Sequence, residues 1–239
     1  MEIINRLLNY KDLNIVQNTD WFNFSLDSVL LSNFVSINKT TKNIMDFCTG
    51  NAPIPLILST KTNSNIIGVE LQKEVYELAK KSVEINNLQN RIQILNMNIK
   101  DLPKYYETDT FDVITCNPPF FKVNSDSKFN KNDIKTVARH EIELNLGDIF
   151  SIARKLLKNN GVISIVHRPD RLIEIIETMR KNNIEPKKVR FVYPKIHSDC
   201  NIILIEGSKN GNPGLKILPP LYVHDNDGKY LEEIEEMFK

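Results

Sequence analysis

The sequence predicts an α/β fold, a mostly parallel sheet with helices on both faces. Three observations predict it. Short apolar runs alternate with helical-period segments from Lys42 onward, the pattern of consecutive strand–helix–strand units. Residues able to carry chemistry fall at the carboxyl ends of four successive predicted strands, where ligands sit in such sheets. The composition, 239 residues with 41% hydrophobic and 26% charged, suits one such domain with a full core.

Composition also excludes several function classes. Cys48, Cys116 and Cys200 are scattered, an odd total without a CxxC pair, which argues against a disulfide framework and structural zinc. The four histidines are equally dispersed, so no metal is expected. No stretch is long enough to cross a bilayer, and no basic-then-apolar leader opens the chain. A cytoplasmic protein is expected. With a net charge of only +1, any binding to a polyanion has to rest on local positive charge.

In order along the chain, Glu2 to Val16 opens with Ile3, Ile4, Leu7 and Leu8 at roughly helical spacing, then a polar break. Asp20 to Asp27 is aromatic and irregular. Trp21, Phe22 and Phe24 read either as a plug over the core or as a lid across a ligand pocket, with Phe24 and Asp27 facing in. Ser25 or Asp27 caps a helix from Ser28 to Val35. Lys42 to Phe47 is the first clear strand. It runs into Asp46-Phe47-Cys48-Thr49-Gly50-Asn51-Ala52-Pro53, and Pro53 or Pro55 opens a helix. Strand, small-residue turn and helix together let a backbone approach a ligand at a helix N-terminus. Cys48 and Ala52 stand where glycine is the usual choice.

Asn65 to Glu70 is the second strand and ends in a carboxylate, one unit beyond Asp46. An acid at that place accepts hydrogen bonds from ribose hydroxyls. The helix Lys73 to Asn87 is scaffold. Arg91 to Asn96 is the third strand, with Met97 to Asp101 at its end. There Asn98 either bonds an adenine edge or forms a polar turn.

Phe111 to Cys116 reads as a buried fourth strand, stopped by Asn117-Pro118-Pro119-Phe120. The prolines remove two donors and fix φ, leaving a stiff strand end. The Asn117 amide oxygen and the Pro118 carbonyl can both accept from one NH2 group, and Phe120 offers a face for a planar base. Lys122 to Arg139 then lacks apolar periodicity. Lys122, Lys128, Lys131, Lys135 and Arg139 outnumber Asp126 and Asp133, with Phe129 among them. This reads as a nucleic-acid contact or as a solvated loop.

A helix from Asn145 to Asn159 is stopped by Gly161, followed by a strand from Val162 to Val166 and a helix from Pro169 to Asn182. Val189–Tyr193 and Ile202–Ile205 are close enough in sequence to pair antiparallel. Pro219-Pro220 and an acidic helix, Leu231 to Phe238, close the chain. The expected organisation is an extension and lid over residues 1–38 and one main domain over 39–239.

These residues carry a family resemblance. The chain resembles class I S-adenosylmethionine-dependent methyltransferases of the amino-methylating NPPY/NPPF group, and within it the tRNA1(Val) adenine-37 N6-methyltransferase-like proteins. The resemblance rests on Phe22-Asn23-Phe24-Ser25-Leu26-Asp27 with Leu30-Leu31, Asp46 to Asn51, Gly68-Val69-Glu70, Cys116 to Phe120, Ala138-Arg139-His140-Glu141 and Gly228-Lys229-Tyr230. It implies a Rossmann-like class I methyltransferase fold: a seven-stranded, mostly parallel sheet with an antiparallel last strand.

It further implies that Asp46, Cys48, Thr49, Gly50 and Asn51 lie under the methionine part of S-adenosyl-L-methionine. Glu70 and Leu71 would flank the ribose, Asn98 and Ile99 the adenine, and Phe24 and Asp27 the lid. Asn117, Pro118, Pro119 and Phe120 would hold the target amine, with Asn117 also bordering the cofactor. Lys122, Lys128, Arg139 and His140 would meet a tRNA substrate. The protein is expected to be a monomer or homodimer. The loop departs from the family in being poor in glycine, and Asn98 stands where an acid is common. The residues leave other NH2 acceptors open: rRNA or DNA adenine, or a protein glutamine. A non-catalytic RNA-binding member is also open. The lack of a GxGxxG speaks against a nicotinamide dehydrogenase.

Overall fold

The computed structural model describes residues 1–7, 10, 12–19, 25–119 and 144–239. Strands β3 (Asn43–Phe47), β4 (Asn65–Glu70), β5 (Ile92–Asn96), β6 (Phe111–Cys116) and β7 (Leu157–His167) run parallel, in the spatial order β5-β4-β3-β6-β7. Beside β7 lies β9 (Ile202–Lys209), antiparallel to β7 and also to β8 (Ile184–Lys195) on its far side. The seven-stranded core with one antiparallel member is therefore present. Order reverses between β3 and β6, which makes their carboxyl ends the topological switch point where ligands bind in such sheets.

The sheet is wider than the seven strands expected. Lys216–Ile217 (β10) and Leu221–His224 (β11) both pair parallel with β8, making nine strands among the described residues. The intervening Pro219-Pro220 breaks what would be one run into two short ones, and periodicity over so few residues is invisible. A second difference lies at the start. Glu2–Arg6 (β1) and Asn14–Asn18 (β2) form an antiparallel hairpin, with Ile3 opposite Gln17 and Asn5 opposite Ile15. The helical spacing expected there came from local periodicity. The hairpin is set instead by pairing with β-branched Ile15 and Val16, a partner that a local period does not reveal.

Helices cover both faces. α1 (Leu26–Phe34) and α2 (Pro53–Lys61) pack with Leu7, Ile15, Ile44, Ile66 and Val166 on one face. On the other, α4 (Leu146–Leu156) and α5 (Leu172–Lys181) pack with Met45, Phe47, Ile114 and Ile163. Adjacent residues Ile44 and Met45 thus enter opposite cores, as strand alternation requires. α3 (Lys73–Ile85) follows β4 and supports the hairpin, Ser82 Oγ accepting from the Val16 N–H at 2.9 Å. A short α6 (Glu232–Glu236) closes the chain. Gly161 does not stop a helix as expected. α4 ends at Leu156, and Gly161 lies inside β7 beside a register shift against Phe111–Val113. A Cβ there would stand 2.9 Å from the Lys158 carbonyl.

The end of α1 is fastened to the sheet through buried Glu206. Its carboxylate accepts from Ser164 Oγ (2.6 Å), the Ser36 N–H (2.8 Å) and Ser36 Oγ (2.7 Å), with Lys188 Nζ 3.4 Å away. The anchor fixes the C-terminal end of α1 against β7 and β9.

One prediction arises from β4. A Cβ on Gly68 would lie 2.8 Å from Thr49 Oγ1 and 2.9 Å from Ile94 Cδ1. Thr49 cannot swing away without losing its bond to Asp46. Gly68→Ala is expected to destabilise the fold by about 1–3 kcal/mol, the usual cost of overpacking, and to disturb the turn after β3. A denaturant melt checks the first effect and a cofactor titration the second.

Candidate active site

The turn after β3 is tightly wound. Cys48, Gly50 and Ala52 all have left-handed φ, +55°, +59° and +71°. Two of the three are therefore non-glycine residues in a region that costs an L-residue roughly 1–2 kcal/mol. That confirms the places where glycine was missed in the sequence. Ala52 is fully buried and caps α2. Around Gly50 a Cβ would meet none of the described residues within 4 Å, so among them the turn faces open space.

Two acids brace this turn from below and beside. Asp46 is fully buried, and its two oxygens accept from Thr49 Oγ1 (2.7 Å) and Thr115 Oγ1 (2.6 Å). Burial pushes its pKa up to about 7, with the hydroxyls opposing and the Glu70 charge adding to the rise. Glu70, at the tip of β4, accepts the Gly50 N–H through Oε2 (3.0 Å) and the Gln72 N–H through Oε1 (2.9 Å). Burial raises its pKa as well, against those backbone donors. Each carboxylate oxygen has two acceptor sites, so Glu70 holds the turn and keeps acceptor capacity for a ligand hydroxyl.

The other expected cofactor residues fall into three kinds. Asn51 is buried and its Nδ2 donates to the Val16 carbonyl at 2.9 Å, so it ties the turn to the hairpin. Thr49 is committed to Asp46, and Ile99 sits in the core with Leu102, which leaves only its backbone for a ligand. Leu71 and Asn98 remain accessible at the rim. Leu71 is 38% exposed, and Asn98 Oδ1 accepts from the Lys100 N–H at 3.0 Å, capping a short 3-10 turn. The polar-turn reading of Asn98 therefore holds, with its Nδ2 left over. Asp27, half-buried in the first turn of α1, has its pKa raised by burial.

Asn117 follows β6 directly. Phe47 and Cys116 are register partners on neighbouring strands, so the Asn-Pro-Pro element begins beside the Cys48–Ala52 turn. Asn117 is half-buried and its Nδ2 donates to Ser28 Oγ of α1 at 3.2 Å. The donor end of the amide is thereby engaged, and Oδ1 is the end left to accept. Pro118 is buried and Pro119 exposed. Phe24, Phe120, Lys122, Lys128, Arg139 and His140 lie outside the described residues.

Sequence reasoning missed three contributors. Ser28 sits on α1, 89 positions from the amide it holds. Asn96 Nδ2 donates to the carbonyls of Glu70 and Leu71, both at 3.0 Å, fixing the strand tip that carries the acid. Gln17 of β2 is buried, with Oε1 accepting from Asn5 Nδ2 at 2.8 Å and Nε2 without an acceptor among the described residues. None of these lies in a local motif.

The site makes opposing pH demands on stability. Asp46, raised to about 7, binds a proton in the fold that the unfolded chain releases near pH 4. It therefore contributes stability below that range that is lost as pH rises toward 7. Buried His167, at the end of β7, is held at about 4, chiefly by burial and then by the Arg171 charge. It stays neutral where the unfolded chain takes up a proton, so stability is lost as pH falls from about 6.5 toward 4. The two slopes oppose each other. Asp46→Asn is expected to make stability rise more steeply between pH 4 and 6.5 than in the wild type. His167→Gln is expected to make it fall more steeply between pH 4 and 7. Denaturant midpoints across that range check both.

An acid tipping β4 on one side of the tight turn and an Asn-Pro-Pro rim ending β6 on the other fit one class, the S-adenosylmethionine-dependent methyltransferases. A family model described as a methyltransferase domain matches residues 38–233, and the chain belongs to that family. Among relatives, the tRNA1(Val) (adenine(37)-N6)-methyltransferase of Haemophilus influenzae (strain PittEE) is 28% identical over 234 residues, 96% of this chain and 95% of the relative. The protein of the same name from Cytophaga hutchinsonii is 27% identical over 157 residues, 66% of this chain and 64% of the relative. Among solved structures, a predicted O-methyltransferase of Agrobacterium tumefaciens superposes with a TM-score of 0.71 at 16% identity, covering 89% of this chain and 95% of that one.

The site fits the cofactor of that class. The space over Gly50 is what a backbone-hugging ligand needs, and Glu70, Asn98 and Leu71 offer acceptor, amide and apolar flank along the neighbouring strand ends.

Proposed function

We propose that this protein methylates the exocyclic N6 amine of an adenine in RNA, at position 37 of a tRNA anticodon loop. One observation carries the chemistry: the Asn117 amide, anchored by Ser28 at the end of β6, next to the turn after β3. The tRNA assignment draws on the names of the relatives.

S-adenosyl-L-methionine, when bound, supplies an electrophilic methyl group. This chain's residues do the rest. Glu70 and Leu71 would hold the ribose, and Asn98 with the Ile99 backbone the adenine. The exocyclic amine is a poor nucleophile because its lone pair is conjugated with the ring. Asn117 Oδ1 and the Pro118 carbonyl accept its two N–H bonds and orient the nitrogen. Positioning of this kind can be worth up to roughly 7–11 kcal/mol. The same acceptors stabilise positive charge developing on nitrogen. A proton leaves to water afterward, so no dedicated base is needed.

A stacked base cannot enter such a site. A loop purine can be splayed out at low cost, with Phe120 as its expected stacking partner. Lys122, Lys128, Arg139 and His140 remain the expected RNA contacts, and residues 1–38 the expected lid.

Incubation with tritiated cofactor and separated RNA, DNA and protein fractions tests the substrate class. Label is expected in small RNA. Label confined to protein or DNA would replace this reading with one of the other amine acceptors.

A further inference from the structure

Among the described residues, Gln17 of β2 is a buried polar side chain with a donor that no neighbour accepts. It is 4% exposed, on the strand of the hairpin that touches the turn: the adjacent residue, Val16, accepts Asn51 Nδ2 at 2.9 Å. Its side chain lies on the same face of β2 as fully buried Ile15, so it points inward. Its oxygen is fixed by Asn5, which leaves Nε2 as the buried end of the amide, without an acceptor among the described residues. A buried donor without an acceptor forfeits its hydration with nothing in return, so an oxygen-bearing partner is called for.

The turn itself offers an anion little. Three of its donors are committed: Thr49 Oγ1 to Asp46, Asn51 Nδ2 to Val16, and the backbone N–H of Gly50 to Glu70. The acids Asp46 and Glu70 repel negative charge. Yet the proposed cofactor carries a carboxylate on its methionine portion, the part expected over this turn.

We propose that Gln17 belongs to the cofactor site and that its Nε2 donates to the methionine carboxylate of the bound cofactor. The inference rests on the cofactor reading above. A neutral amide suits the task. It supplies a hydrogen bond without placing a cation beside Asp46 and Glu70, where an ion pair with those acids would compete with the ligand.

The test is selective for that group. S-adenosylmethionine and 5′-methylthioadenosine, which keeps the nucleoside and sulfur but lacks the amino-acid portion, are titrated calorimetrically into wild type and Gln17→Met. Loss of a hydrogen bond to a charged group is expected to weaken S-adenosylmethionine about 10–100-fold and to leave 5′-methylthioadenosine unchanged. Gln17→Asn keeps an amide but withdraws its donor. It must show the same selectivity, and it serves alone if the apolar variant fails to fold. Equal weakening of both ligands, or of neither, makes Gln17 a packing residue and overturns the proposal. A wild type that binds neither ligand overturns the cofactor reading itself, and this inference with it.

Discussion

Asn117→Ala is expected to reduce methyl transfer by about 10²–10³-fold, the size typical of removing one preorganised hydrogen-bond partner from a reacting group, while cofactor binding stays near wild type. The split follows from geometry. Asn117 is bonded to Ser28 on α1, and it is not among the partners of Glu70 or of the Gly50 turn. Its removal therefore leaves the acids and turn in place. What is lost is one of two acceptors for the target amine, and with it the orientation of nitrogen. Asn117→Asp should lose less, because an acceptor remains and Ser28 can reverse its role and donate. Single-turnover rates with saturating cofactor, set beside calorimetric cofactor affinities, check both variants. Equal losses in rate and affinity would mean that Asn117 serves the cofactor instead of the substrate.

Glu70→Gln is expected to act the other way, on binding before chemistry. The substitution preserves shape, but the carboxylate receives two backbone donors, the Gly50 and Gln72 N–H groups, one on each oxygen. A glutamine has one oxygen and one NH2 group. One backbone donor is then left facing another donor inside a nearly closed environment. Hydrogen bonds to charged groups are worth about 1.5–3 kcal/mol each. Cofactor affinity should accordingly fall about 10–100-fold, with a lower melting temperature as the turn loosens. The rate at saturating cofactor should change far less than in Asn117→Ala. If Glu70→Gln bound cofactor as wild type does, the turn would owe its form to Asp46 and its hydroxyl partners alone.

Much of this site could be read from the sequence because its parts are local. Asn65–Glu70 and Phe111–Cys116 have the bounds that their apolar runs and polar ends imply. The prolines at 118 and 119 mark the end of β6 by chemistry alone. The left-handed backbone at Cys48 and Ala52 was legible as two missing glycines. What escaped was non-local. Asn51 looks like a ligand residue in its motif, but its amide is claimed by Val16, 35 positions earlier. The Ser28–Asn117 bond joins residues with no shared periodicity, and Gln17 stands in a hairpin whose register depends on pairing rather than on local pattern. The wider sheet escaped for the opposite reason, since β10 and β11 are too short to show alternation.

In the proposed reaction Asn117 presents a target adenine amine to the methyl donor held beside it. The most direct measurement is nucleoside mass spectrometry of tRNA carrying an anticodon-loop adenine, after incubation with S-adenosylmethionine and either wild type or Asn117→Ala. N6-methyladenosine is expected from wild type, and a trace or none from the variant. Equal N6-methyladenosine from both proteins, or methylation found at a ring nitrogen or ribose oxygen instead, would contradict it.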